Sequence, residues 1–155
     1  MDTSAADTSP AGTGFELRRV DREVDGVRIL DGIDLAIEPD GFTVVVGRSG
    51  AGKSSLLRLL NRLDAPTEGT VTWAGDDLAR TDVCALRRRI GYVAQRPVVF
   101  GGSAIENLRV ADPSLTDDDA AELLDRVGLS LRPGQDATTL SGGEAQRLCM
   151  ARTLA

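Results

Sequence analysis

The residue that first suggests chemistry is Lys53, the only lysine in a chain whose other positive charges are all arginines. It lies in GRSGAGKSS, Gly47 to Ser55. The glycines at 47, 50 and 52 let the backbone turn tightly and aim successive N–H groups at one point. A lysine ammonium is a compact charge that reaches into such a cradle, where a broad planar guanidinium does not fit the same space. Arg48, Ser49, Ala51 and Ser55 complete the loop, and Ser54 offers a hydroxyl to a divalent cation. The chemistry implied is the holding of phosphate oxygens. A second stretch, LSGGEAQR from Leu140 to Arg147, points the same way. Ser141 can cap a helix, Glu144 stands three residues on as in a capping box, and Gly142 and Gly143 allow an anion to approach the open N–H groups.

These stretches need particular elements around them. FTVVV, Phe42 to Val46, reads as a buried β-branched strand leading into the first loop. KSSLLRLLNRL reads as a helix with Leu56, Leu59, Leu60 and Leu63 on one face, so strand, glycine turn and amphipathic helix follow in the order that a phosphate-binding loop requires. Upstream, FELRRV from Phe15, VRIL and IDLAI read as strands, with turns at Asp25-Gly26 and at Pro39 to Gly41. TVTW and IGYVA read as further strands, with a short helix at VCALRRR between them. SLTDDDAAELLDRVGL reads as a helix capped by Thr116, acidic in its first turn and ended by Gly128. A last helix starts near Gly142. Residues 1–14 are small, polar and turn-forming, and read as a disordered tail.

Composition bounds the function. A chain of 155 residues, 41% hydrophobic but only 3% aromatic, suits one domain, or most of one, with an aliphatic core. The net charge of −6 argues against nucleic acid as a partner, because phosphate-backbone contacts need a basic face. No apolar run approaches the roughly 20 residues of a membrane span. Cys84 and Cys149 lack metal-ligand spacing and read as reduced thiols.

With both phosphate-directed stretches in place, the sequence resembles the ATP-binding cassette ATPases of ABC transporters, from Phe15 to Ala155. Gly47 to Ser54 is similar to their Walker A motif, Leu140 to Arg147 to the family signature, and YVAQRP at Tyr92 to Pro97 to the Q-loop, with Gln95 as its glutamine. The resemblance implies an α/β fold: a P-loop NTPase sheet with an antiparallel β subdomain and a short helical subdomain at about residues 96–140. It also implies ATP and Mg²⁺, with Walker A of one protomer and the signature of another closing on the nucleotide, hence a second nucleotide-binding domain, read as a homodimer. Gln95 would contact Mg²⁺ or the attacking water and sense a transmembrane permease. The stretch from Gln95 to about Leu108, with Val98, Val99 and Phe100, would face that permease. The expected location is the cytoplasmic face of the cell membrane, reached through the permease and without direct insertion.

Two departures qualify the resemblance. Val24 stands where the family carries an aromatic ring that stacks on adenine. The family also continues past its signature into an apolar strand ending in Asp, a catalytic Glu and a switch His, whereas this chain ends at Ala155 and contains no histidine. The expectation is therefore a fragment or truncated gene product, with the C-terminal part of the core missing and no hydrolysis by the chain alone. FTVVV would then lack a hydrogen-bonding neighbour. LNRLDAPTEGTVTWAGDDL and QRPVVFGGSAIENLR resemble phosphate importers, while the short segment from Gln95 to Ser141 is more like a compact group assigned to metal (iron) export. The alternative is a non-hydrolysing nucleotide-binding regulator or a degenerate gene product.

Overall fold

A computed structural model describes residues 14–129 and 135–155. Of the expected tail, only Gly14 falls among them. The chain forms two compact units, one running to Ile90 and the other from Gly91 to Ala155. The fold is α/β.

The first unit is built on an antiparallel sheet in the order β2-β1-β3-β4. Strand β1 spans Phe15–Val24 and β2 spans Val27–Ile37, so VRIL and IDLAI form one long strand. They are joined at Asp25-Gly26, whose φ angles of 51° and 76° match the two left-handed positions of a tight hairpin turn. Strand β3 (Glu68–Trp73) pairs with the other edge of β1, and a two-residue β4 (Asp76–Asp77) completes the sheet. Helix α1 (Lys53–Leu60) and helix α2 (Val83–Arg89) belong to the same unit. Leu56 and Leu59 of α1, Leu86 of α2 and the inward residues Leu17, Val20, Leu30 and Val71 share one aliphatic core.

The structure corrects three expectations here. Helix α1 stops at Leu60 rather than Leu63. Arg62 takes a left-handed φ of 55°, the Asn61 side chain accepts from the Leu63 N–H, and Arg87 donates to the Asn61 and Arg62 carbonyls. Leu63 is consequently outside the buried stripe and 39% exposed. Phe42 to Val46 forms no ladder and is mostly exposed: Phe42 is fully exposed and Val44 and Val46 are 76% and 88% exposed, while Val45 is half-buried against the core. IGYVA likewise forms no strand. A strand exists only with a partner for its N–H and C=O groups, and among the described residues neither segment has one.

In the second unit, helices α3 (Ala104–Arg109), α4 (Asp117–Arg126) and α5 (Gly142–Leu154) enclose a core of Leu108, Ala120, Leu123, Leu124, Leu129 and Leu148. Thr116 caps α4 by accepting from the Asp119 N–H, behind three acids in the first turn. Gly128 takes the left-handed φ of 65° just past the helix end, as a C-terminal stop requires.

Candidate nucleotide-binding site

The Gly47–Ser55 loop is shaped by its glycines. Gly50 and Gly52 have φ of +80° and +81°, a region that costs an ordinary residue roughly 1–2 kcal/mol. Gly52 has a second reason to be glycine. A side chain there would meet the Ile29 carbonyl oxygen and Leu30 Cδ2, each at 2.8 Å, so the loop seats its last turn directly on β2. Because Gly52 is also the residue that opens α1, no side chain caps that helix. Its first N–H groups therefore stay available, carrying the partial positive charge of the helix end.

Lys53 completes the cradle from within. Its Nζ donates to the carbonyls of Gly47 at 2.9 Å and Arg48 at 2.7 Å. The ammonium thus lies across the mouth of the loop, held by two backbone acceptors of that loop. Ser54 is exposed one residue on. Open N–H groups, one mobile cation and a hydroxyl suit a polyphosphate. Among the described residues no group of three or more His, Cys, Asp or Glu is placed to hold a metal. Val24 lies at the end of β1, paired with Val27 across the hairpin and 42% exposed.

The second stretch lies in the other unit. Ser141 caps α5 in a full capping box: its Oγ accepts from the Glu144 N–H, while its N–H donates to Glu144 Oε2 at 2.8 Å. The Ser141 hydroxyl also donates to that carboxylate at 2.6 Å. These hydrogen bonds, the hydroxyl first, hold the Glu144 carboxyl below its ordinary pKa, with Arg147 adding to the effect. Gly142 and Gly143 are exposed, and a side chain at Gly142 would meet nothing within 4 Å. An anion can therefore approach, though it would share the helix end with Glu144.

Gln95 is exposed at a bend and is tied to α5 by its neighbour: the Gln146 side chain donates to the Ala94 carbonyl at 3.0 Å. Two further residues, not singled out from sequence, shape the loop that follows. Asn107, fully buried on α3, accepts from the Phe100 N–H at 2.8 Å and donates to the Phe100 and Ser103 carbonyls, both at 3.0 Å. Arg152 of α5 donates to the Val98 carbonyl at 2.8 Å and lies over the Phe100 ring at 4.8 Å. A signal for Asn107 was available, because it occupies a core position of α3 between Ala104 and Leu108 where an apolar residue is the norm. Val98 and Phe100 are exposed by this arrangement, whereas Val99 packs on the core and Leu108 is wholly buried. Of the stretch from Gln95 to Leu108, then, Val98 and Phe100 offer apolar side chains to a partner, and Val99 and Leu108 serve the core.

The profile of the family described as ABC transporter matches residues 30–155. The chain belongs to that family. What it carries is an ABC transporter ATP-binding domain. It is 44% identical over its whole length to ABC transporter I family member 17 of Arabidopsis thaliana, of which it spans 60%. Protein STAR1 of Oryza sativa subsp. japonica is 42% identical over 94% of the chain and 44% of that protein. The mycobactin import ATP-binding/permease protein IrtB of Mycolicibacterium thermoresistibile is 37% identical over 96% of the chain and 29% of that protein. Among solved structures, a bacterial Atm1-family ABC exporter with ATP bound superposes at a TM-score of 0.81, with 28% identity, over 91% of this chain and 27% of that one. The chain thus spans between 27% and 60% of the length of these relatives. Among its described residues no helix is long and apolar enough to cross a membrane.

Proposed function

We propose that this chain binds Mg–ATP as the nucleotide-binding part of an ABC transporter, to power phosphate import or metal export. The ATP phosphates sit in the loop formed by Gly47, Arg48, Ser49, Gly50, Ala51 and Gly52, where the Ala51 N–H closes a turn on the Arg48 carbonyl, and on the N–H groups of the first turn of α1. Lys53 leaves the Gly47 and Arg48 carbonyls to bind them, and Ser54 and Ser55 turn their hydroxyls toward the phosphates and Mg²⁺. Gln95 takes part in holding the ion or the attacking water. Ser141, Gly142, Gly143 and Glu144 present the α5 terminus to a nucleotide held by a second ABC domain, a second copy of this chain. Val98 and Phe100, fixed by Asn107 and Arg152, meet the permease through which the domain sits at the cytoplasmic membrane face.

The observation that carries this reading is the Lys53 ammonium held by carbonyls of its own loop, beside an uncapped helix end. Phosphate oxygens are stronger partners for an ammonium than these neutral carbonyls, so a bound polyphosphate would take Lys53 from them. Calorimetry of the full chain with Mg–ATP tests it. A lost charge-assisted hydrogen bond of about 1.5–3 kcal/mol corresponds to roughly 10- to 150-fold weaker binding in Lys53→Ala. Equal binding by the variant would remove the reading.

A further inference from the structure

The segment around Gln95 is held by side chains rather than by a ladder. Residues 91–100 belong to no helix or strand, and none of their N–H or C=O groups bonds to backbone among the described residues. One face of α5 takes over that task. Gln146, Cys149, Arg152 and Thr153 recur at i, i+3, i+6 and i+7, within about a third of the helix circumference. Gln146 Nε2 donates to the Ala94 carbonyl at 3.0 Å. Cys149 Sγ at 3.4 Å and Arg152 Nη2 at 2.8 Å donate to the Val98 carbonyl. The Thr153 methyl closes on Gly91, where an added Cβ would clash with it. Gln95, Arg96 and Pro97 therefore form an arch pinned at both feet by α5. The pin beside Gln95 has a particular effect. The Ala94 carbonyl and the Gln95 N–H belong to one planar peptide group, so a donor that fixes the first also orients the backbone from which the Gln95 side chain departs. That side chain is exposed, and its direction is set by the backbone beneath it.

We propose that Gln146 is a positioning residue for Gln95, and that through it the Gln95 arch follows the Ser141-capped end of α5. The inference rests on the reading of Gln95 given above, as a residue that acts on the ion or water of a bound nucleotide. Gln146 touches neither. It works through the peptide group between Ala94 and Gln95, and what matters in it is one N–H at one place along the side chain. Glutamate has the same size and carries an acceptor there, whereas arginine carries an N–H there, its Nε.

The test is NMR relaxation of the Gln95 amide in the full chain, with the α5 amides as the control for folding. The Gln95 order parameter should stand near about 0.85 in the parent and in Gln146→Arg, and fall to about 0.6 or below in Gln146→Glu. Should Gln146→Glu disturb α5, Gln146→Ala makes the same comparison. Equal Gln95 order in the parent and the donor-less variant, with α5 intact, would overturn the inference. So would a Gln146→Arg chain that fails to regain the order lost in Gln146→Glu, because a merely space-filling role would not distinguish the two. Mn²⁺–ATP then reports on the reading of Gln95 itself. The paramagnetic ion should broaden the Gln95 side-chain amide more strongly in the parent than in Gln146→Glu. If Mn²⁺–ATP binds but leaves Gln95 sharp in the parent, while the order parameters behave as expected, the role of Gln95 at the ion falls and its positioning by Gln146 stands.

Discussion

Asn107 is the side chain on which the shape of the Val98–Ser103 loop turns, and its removal has a calculable consequence. It is wholly buried and makes three hydrogen bonds to the loop backbone, two with Phe100 and one with Ser103. Each such bond contributes about 0.5–1.5 kcal/mol net, and more when a buried partner is left unpaired. Phe100 is 44% exposed, so its freed N–H and C=O can reach water once the loop shifts. That relief keeps the cost of opening toward the middle of the summed range, about 2–3 kcal/mol. Two variants separate the contributions. Asn107→Ala removes the bonds and also volume, whereas Asn107→Leu removes the bonds and keeps most of the volume. Hydrogen exchange reads the result directly, because the Phe100 N–H is itself one of the bonded groups. Its protection should fall about 30- to 150-fold in both variants, with α4 amides unaffected. Protection of the Phe100 amide unchanged within about threefold, in a variant whose helices are intact, would refute the clamp and leave the loop to its other anchors, the Arg152 and Cys149 side chains on the Val98 carbonyl and the Ala137 N–H on the Gly102 carbonyl.

Three other outcomes follow from the same geometry. Gly52→Ala should cost about 1–3 kcal/mol more than Gly50→Ala in chemical denaturation: both carry a left-handed φ, but only Gly52 abuts the Ile29 carbonyl and Leu30, and equal costs would refute the close seating on β2. The capping carboxylate of Glu144 has a depressed pKa through the Ser141 hydroxyl and N–H, so its charge stabilises the fold above the ordinary glutamate value near 4.3 and ceases to as pH falls through the folded value; the stability difference between the parent and Glu144→Gln should be flat above about pH 5 and shrink in acid, and a difference that grew in acid would contradict the cap. The exposed Phe42–Val46 segment should drive concentration-dependent association that Val44→Lys suppresses, read by sedimentation velocity; a parent chain that stays monomeric to about 100 µM would show that the segment is not adhesive.

The contrast between Phe42–Val46 and Gly47–Ser55 shows which parts of the structure were legible in the sequence. The loop was readable because its chemistry is local. Two glycines that need positive φ, a lysine that reaches back five or six residues to its own carbonyls, and a helix that begins where the glycines end are all specified within nine consecutive residues. The α5 terminus was readable for the same reason, since Ser141 and Glu144 satisfy each other across three residues. A strand is not a local object. FTVVV and IGYVA carry the right side chains, but a ladder is a property of two segments, and β-branched residues describe a surface ready to be covered rather than the cover itself. Where the partner is close in sequence, as for β1 and β2 across the two-residue turn, pairing could be read from Asp25-Gly26. Where it is not, composition predicts burial and the structure leaves Phe42, Val44 and Val46 in solvent. Asn107 is the intermediate case. Its position was visible as a polar residue in an apolar helix face, but its three acceptors and donors lie four to seven residues upstream in a loop of irregular backbone, where no periodicity reports geometry. The shapes of the glycine loop and of the α5 cap were thus written in short range, and the pairing of strands in long range.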